Sequence, residues 1–115
     1  MSTLEENISR AMGYIAARAK TGVMNHIAGA SVPAEGGATF DTVSPVDLTT
    51  LSKVAAGDAA DIDRAALAAK AAFKSWSSTP GADRRKILIK VAEAIEARAD
   101  EIALTECMDT GQALR

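Results

Sequence analysis

Alanine fills many of the helical positions at which a larger apolar side chain would anchor a core, and this limits what the chain can fold into. Hydrophobic residues make up 48% of the 115, but aromatic ones only 3%. The large anchors therefore reduce to Tyr14, Phe40, Phe73 and Trp76, with a modest set of Ile, Leu, Val and Met. Alanine buries little area, and one small domain of this length hides a smaller share of its surface than a larger one does. Alanine-rich helical faces of this kind suit packing against structure outside the chain.

Residues 3–20 read as an amphipathic helix. Ser2 and Thr3 each have a Glu three positions on, the spacing of a capping box. Leu4, Ile8, Ala11 and Ile15 share one face. Arg18 and Lys20 suit the negative end of the helix dipole, and Gly22 supplies a stop. That face either packs on its own chain or docks a partner or oligomer. From Val23 to Ala55 the helical period disappears. Met24 to Ala28 and Ser31 to Pro33 flank Gly29-Ala30, a hairpin turn. Gly36-Gly37 breaks the chain before the alternating Thr39 to Val43. Ser44-Pro45-Val46-Asp47 is a turn, because proline fixes its own φ and restricts Ser44. Thr49 to Ala55 is a further short strand.

Three helices follow. Asp58 caps the first, whose stripe is Ile62, Ala66, Ala69, Phe73 and Trp76. Thr79-Pro80 opens the second, with proline at a first helical position. Its apolar face is Ile87, Leu88, Val91, Ala92 and Ile95, while Arg85, Lys86, Lys90 and Glu93 fall on or near the solvated side. The third spans Asp100 to Met108 and ends at Asp109-Thr110-Gly111. The order is helix, small strands, three helices: an α+β piece with no βαβ unit and no Gly-rich phosphate loop between a strand and a helix.

A formal net charge of −2, mixed along the chain, leaves no basic block for nucleic acid. No apolar run is long enough to span a bilayer, and the N-terminus lacks a signal-peptide core. Glu5 and Glu6 argue against a mitochondrial presequence despite Arg10, Arg18 and Lys20. The single cysteine excludes an internal disulfide and fits a reducing compartment, so a cytoplasmic location is expected.

Cys107 invites reading as a nucleophile, but activation needs a base, a cation or a helix N-terminus. It sits instead near a helix C-terminus beside Glu106 and Asp109, so a packed small residue is the better reading. His26 lies on a predicted strand, and one His with one Cys cannot build a zinc site. Asp58, Asp61 and Asp63 resemble a metal cluster, yet they open a helix, where capping and the dipole account for them. Lys86 and Lys90 are a solvated face, and Gly36-Gly37 is a turn. No catalytic set and no coenzyme-binding set can be assembled.

Taken in order, however, several segments resemble the start of the aldehyde dehydrogenase superfamily. Asn25-His26-Ile27-Ala28-Gly29-Ala30-Ser31-Val32-Pro33 is similar to its first hairpin, F-I-x-G-x-W-V. Phe40-Asp41-Thr42-Val43-Ser44-Pro45 resembles F-x-x-x-N-P, and Val54-Ala55-Ala56-Gly57-Asp58 matches V-x-x-G-D. The alanine-rich helix ending Phe73-Lys74-Ser75-Trp76 follows. Arg84-Arg85-Lys86-Ile87-Leu88, Ile95-Glu96-Ala97-Arg98 and Glu106-Cys107-Met108-Asp109-Thr110-Gly111-Gln112 echo R-x-x-x-L, I-E-x-R and E-T-L-D-T-G-K. The match runs from residue 24 to 115. It implies a large α/β enzyme with a Rossmann-like coenzyme domain, NAD or NADP as coenzyme, an aldehyde substrate and an oligomerisation arm.

On this resemblance residues 1–22 are an N-terminal amphipathic helix and residues 23–115 an incomplete N-terminal part of the coenzyme-binding domain. Phe73 and Trp76 would help seat one helix. The family's catalytic cysteine, its water-activating glutamate, the oxyanion asparagine and the main coenzyme-binding lysine and glycines lie downstream of the matched region. Cys107 occupies a threonine-like helix position. The expected partners are the remainder of the same polypeptide or a homo-oligomer. Many members hold a monovalent cation between backbone carbonyls before N-P and the aspartate of D-T-G-K; the matching positions are Thr42, Val43 and Asp109. Alternatively, Asp109 only orders the turn at its helix end.

Ser44 stands where the family usually has Asn, Gln112 where it has Lys, and the first hairpin lacks its tryptophan. The S-P-V-D-L and C-M-D-T-G-Q variants resemble bacterial members acting on muconic-type semialdehydes. Gln112-Ala113-Leu114-Arg115 carries no closing signal and reads as an interruption. The leading expectation is an N-terminal fragment of an NAD(P)-dependent aldehyde dehydrogenase, itself inactive. The alternatives are a non-catalytic stand-alone helical/β module docking on a full-length relative, and an unrelated α+β binding domain.

Overall fold

The computed structural model describes residues 3–114, so Ser2 and Arg115 lie outside the described residues. The elements run α1 (Leu4–Thr21), β1 (Asn25–Ile27), β2 (Ala30–Val32), β3 (Thr39–Val43), β4 (Thr50–Ala55), α2 (Ala59–Ser78), α3 (Gly81–Ala97) and α4 (Ala99–Thr110). This is the expected α+β order. β1–β2 and β3–β4 are separate antiparallel hairpins. Val23 adds a parallel bridge to Val54, its amide donating to the Lys53 carbonyl at 2.8 Å and its carbonyl accepting from the Ala55 amide at 2.8 Å. That bridge ties the end of α1 to β4.

Local chemistry sets most boundaries. The Thr3 hydroxyl accepts from the Glu6 amide at 3.2 Å and the Glu6 carboxylate accepts from the Thr3 amide at 2.7 Å, a reciprocal cap. Gly22, at φ +69°, turns the chain out of α1. The first hairpin turns at Ala28-Gly29, one residue earlier than expected. Both residues have positive φ (53° and 80°), the pair that a tight two-residue hairpin loop requires, and Ala30 is left to pair with Ile27. Pro80 sits just ahead of α3 instead of at its first position. Its carbonyl accepts from the Asp83 and Arg84 amides at 3.0 and 3.1 Å.

The core is thin. Ala11, Ala34, Leu51, Ala55 and Leu104 are its buried apolar members, and among the described residues no large side chain is completely enclosed. α1 lies across α4 and β4, so the N-terminal helix packs on its own chain. Arg10 pairs with Asp100, and Arg18 Nη2 lies 3.0 Å from Glu101 Oε1. Arg98 also reaches Glu101, at 2.8 Å. Arg98 first, and then Arg18, hold the Glu101 carboxyl below its ordinary range.

α2 and α3 behave differently. α2 touches the body through β1, where its alanines face the hairpin, and α3 packs extensively on no other element. The apolar stripes of both helices are exposed: Phe73 is 67% and Trp76 39% accessible, and Ile62, Ile87, Leu88, Val91 and Ile95 are open as well. The helix expected to be seated by Phe73 and Trp76 therefore has no seat among the described residues. No described helix is long and apolar enough to cross a membrane.

The start of α2 also clamps a loop. Asp58 accepts from the Ala60 and Asp61 amides at 2.9 and 3.2 Å. The buried Asp61 carboxylate accepts from the Asp58 amide at 3.1 Å and from the Glu35 amide at 3.1 and 3.2 Å. Arg64 bridges to Glu35 at 2.6 Å. The Glu35 amide first, then that of Asp58, lowers the Asp61 pKa. A lowered folded-state pKa adds stability that is present above the unfolded value and lost as pH falls through the folded one. Asp61→Asn is expected to lower the melting temperature at pH 7 and to flatten its dependence on pH below about 4. Thermal circular dichroism from pH 7 to pH 2 reads both effects, and identical wild-type and variant profiles would contradict this role.

Candidate functional site

The residues expected to meet at a cation site come from two elements distant in sequence. Thr42 and Val43 end β3, where the pairing slips: Thr42 stands opposite Ser52 and Val43 opposite Thr50. This irregularity bends the strand into the turn at residues 44–49. Ser44 is buried there. Its amide donates to the Thr49 carbonyl at 2.9 Å, its carbonyl accepts from Leu48 at 2.9 Å and its hydroxyl accepts from the Val46 amide at 3.2 Å. A short hydroxyl thus closes the turn. Asp47 accepts from the Thr49 hydroxyl at 2.8 Å and from the Thr49 amide at 3.1 Å, and both bonds, the hydroxyl first, hold its pKa down.

Asp109 arrives from the last turn of α4. Gly111 then leaves the helix at φ +74°, its amide donating to the Cys107 carbonyl at 3.0 Å. A Cβ at Gly111 would lie 3.1 Å from Pro45 Cγ, so the helix end and the 44–49 turn are in close contact. The Thr42 hydroxyl donates to Asp109 Oδ1 at 2.7 Å. The structure therefore joins Thr42 to Asp109, with Val43 next along β3.

Beside this pair opens a cavity of about 340 Å³. Thr105 and Glu106 of α4, Arg18 of α1 and Phe40 of β3 also line it. Thr105 Oγ1 and Arg18 Nε are buried without a protein partner. Sequence reasoning did not bring Arg18, Thr105 and Glu106 to this place. The helical spacing of Thr105, Glu106 and Asp109 was a usable signal for one face, whereas Arg18 enters only through the packing of α1. No group of three or more His, Cys, Asp or Glu suited to a metal occurs among the described residues. A hard monovalent ion held by one carboxylate with hydroxyl and main-chain oxygens is the chemistry these donors fit.

The other candidates separate. Cys107 is half-buried in an apolar groove with Leu104, Met108 and Met12. His26 is exposed on β1, opposite Ser31. No hydrogen bond or ion pair joins either to an activating group among the described residues. Asp58 and Asp61 are engaged in capping as described. Gly37 closes a turn by donating to the Ala34 carbonyl at 2.8 Å.

Residues 32–115 match the family model described as the aldehyde dehydrogenase family. The NADP/NAD-dependent aldehyde dehydrogenase PuuC of Escherichia coli (strain K12) is 46% identical over 79 residues, covering 67% of this chain and 16% of PuuC. The crystal structure of HpcC from Thermus thermophilus superposes with a TM-score of 0.88 at 39% identity, over 91% of this chain and 20% of that one. Betaine aldehyde dehydrogenase from Staphylococcus aureus, solved in complex with NAD+, gives a TM-score of 0.81 at 27% identity over 90% of this chain and 21% of its own. The chain thus spans about a fifth or less of these relatives.

Proposed function

The chain belongs to the aldehyde dehydrogenase family, and from that membership we propose that it builds the N-terminal part of the coenzyme-binding domain of an NAD(P)-dependent enzyme. Residues 23–115 are that part and α1 is an N-terminal helix laid over it. The reaction is the oxidation of an aldehyde or semialdehyde to the carboxylic acid. The observation that carries this reading is the superposition on HpcC, a TM-score of 0.88 over nearly the whole chain.

Bound NAD(P)+ would accept hydride in such an enzyme. The hairpins are antiparallel and no glycine-rich loop joins a strand to a helix. This chain contributes scaffold: β3–β4, α1 and α4 hold one another, and the rest of the fold supplies the coenzyme and aldehyde sites. The expected location is cytoplasmic, and the expected partners are the remainder of the polypeptide and further subunits. Transplantation tests the reading: this chain in place of the matching segment of PuuC is expected to leave an active NAD(P)+-dependent dehydrogenase.

Thr42, Val43 and Asp109 are proposed to hold a monovalent cation. Support comes from the hydroxyl–carboxylate contact at 2.7 Å beside a cavity that carries a second acid, Glu106. Potassium chloride is then expected to raise the melting temperature above that in choline chloride at equal ionic strength. Asp109→Asn is expected to erase the difference. A variant whose melting temperature falls equally in both salts would assign Asp109 only to the helix-end turn.

A further inference from the structure

Among the described residues that line the cavity beside Thr42 and Asp109, Arg18 is the only cation, and Glu106 and Asp109 are the only acids. The end of α1 fixes Arg18 in place. Its carbonyl accepts from the Gly22 amide at 2.8 Å and from the Ser52 hydroxyl at 3.3 Å. Its Nη2 donates to Glu101 Oε1 at 3.0 Å, but Arg98 engages both Glu101 oxygens, at 2.8 and 2.9 Å. One carboxylate shared by two guanidiniums leaves a net positive charge there. Arg18 Nε is buried without a hydrogen-bond partner. A guanidinium has only donors, so Arg18 cannot ligate a metal; it is a fixed positive charge at the cavity wall. Glu106 and Asp109 have no ion-pair partner among the described residues. Two carboxylates and one guanidinium thus give the cavity a single net negative charge. At about 340 Å³ the cavity is on the order of 9 Å across if spherical, close to one Debye length, so these charges act on anything inside it.

We propose that Arg18 sets the charge preference of the cation site: by offsetting one of the two acids it keeps the cavity for a singly charged ion and excludes a divalent one. This rests on the site proposed above at Thr42, Val43 and Asp109. The oxygens present suit a hard ion: the Asp109 carboxylate, the Thr42 hydroxyl bonded to it, and Thr105 Oγ1, which is buried without a partner. Calcium and magnesium accept the same donors, so charge makes the choice. A divalent ion costs far more to dehydrate than a monovalent one, because ionic hydration grows with the square of the charge. Calcium sites meet that cost with several carboxylates. Glu106 and Asp109 unopposed would offer two; with Arg18 beside them the net offer is one.

The test melts the whole chain in potassium, calcium and choline chloride at equal ionic strength, followed by circular dichroism. At about tenfold excess over the dissociation constant, wild type is expected to gain on the order of 5 °C in potassium over choline, and nothing in calcium. Arg18→Gln is expected to reverse the preference, gaining more in calcium than in potassium. Arg18→Lys keeps the charge and follows wild type. Glu106→Gln, at an exposed position outside the α1–α4 ion pairs, is expected to lose the potassium gain without melting earlier in choline. The double variant Arg18→Gln with Glu106→Gln returns the cavity to one net negative charge and regains the potassium preference, which a merely structural Arg18 would not produce. Arg18→Gln that still prefers potassium overturns the proposal. So does Glu106→Gln that keeps the full potassium gain, and this arm decides even where Arg18→Gln unfolds. If neither salt moves wild type or Arg18→Gln, the cation site itself is absent and the proposal falls with it. If potassium stabilises wild type while Arg18→Gln gains nothing from calcium, the charge balance fails and the cation site stands.

Discussion

Incubated with NAD+ and a saturating aldehyde, the purified 115-residue chain is expected to form no NADH above the protein-free blank. Thiol-based aldehyde oxidation needs a thiolate with an activating group near it and a hydride acceptor held against the adduct. The single thiol, Cys107, lies in an apolar groove between α1 and α4 and is joined to no base or cation among the described residues. The single imidazole, His26, is exposed on β1, opposite Ser31. Cys107→Ser is expected to be indistinguishable from wild type in this assay. Absorbance at the NADH band over hours decides the matter: aldehyde-dependent turnover that Cys107→Ser abolishes would place a catalytic centre within these residues.

Leu104→Ala is expected to be the most damaging single truncation of the core. Leu104 is 5% exposed and lies with Ala11 along the groove where α1 meets α4. Ala11 offers little area of its own, so Leu104 is the large buried side chain of the groove where α1 meets α4. Removing it leaves a cavity and costs about 2–4 kcal/mol. In a domain of this size that lowers the melting temperature by on the order of 10–20 °C. Leu104→Met, which nearly conserves volume, is expected to cost less than about 1.5 kcal/mol. Thermal circular dichroism checks both, and an alanine variant melting within a few degrees of wild type would show that Leu104 does not seat α1.

Element identity and order were legible in the sequence because they depend on local chemistry. The Thr3–Glu6 cap, the Asp58 cap and the Gly22 and Gly111 stops involve residues a few positions apart, and each element formed where expected. Errors of one residue arose where two neighbours compete for one role. Ala28 took the positive φ that Gly29-Ala30 was expected to share, and Pro80 supplied a carbonyl in place of a first helical position. Burial was far less legible. Period shows which side chains share a face but not what covers it, so Phe73 and Trp76 could be placed on a stripe and not on a partner.

Contacts between distant residues were the least accessible. Asp61 was readable as part of a helix start, yet its bond to the Glu35 amide spans 26 residues and follows from no local pattern. The same holds for Arg18 with Glu101. Thr42, Val43 and Asp109 were grouped in advance only through resemblance to a family; the structure shows a hydrogen bond between the Thr42 and Asp109 side chains.

The most direct measurement is the steady-state rate of PuuC carrying this chain in place of its matching segment. Sequence identity of 46% over the matched 79 residues and a shared local fold favour a properly assembled chimera. A soluble chimera oxidising aldehyde with NAD(P)+ within about tenfold of parental kcat/KM is the expected result, because the transplanted residues are scaffold and the reacting groups stay in place. A soluble, folded chimera devoid of activity would contradict it and return this chain to the status of a binding module with an aldehyde dehydrogenase-like shape.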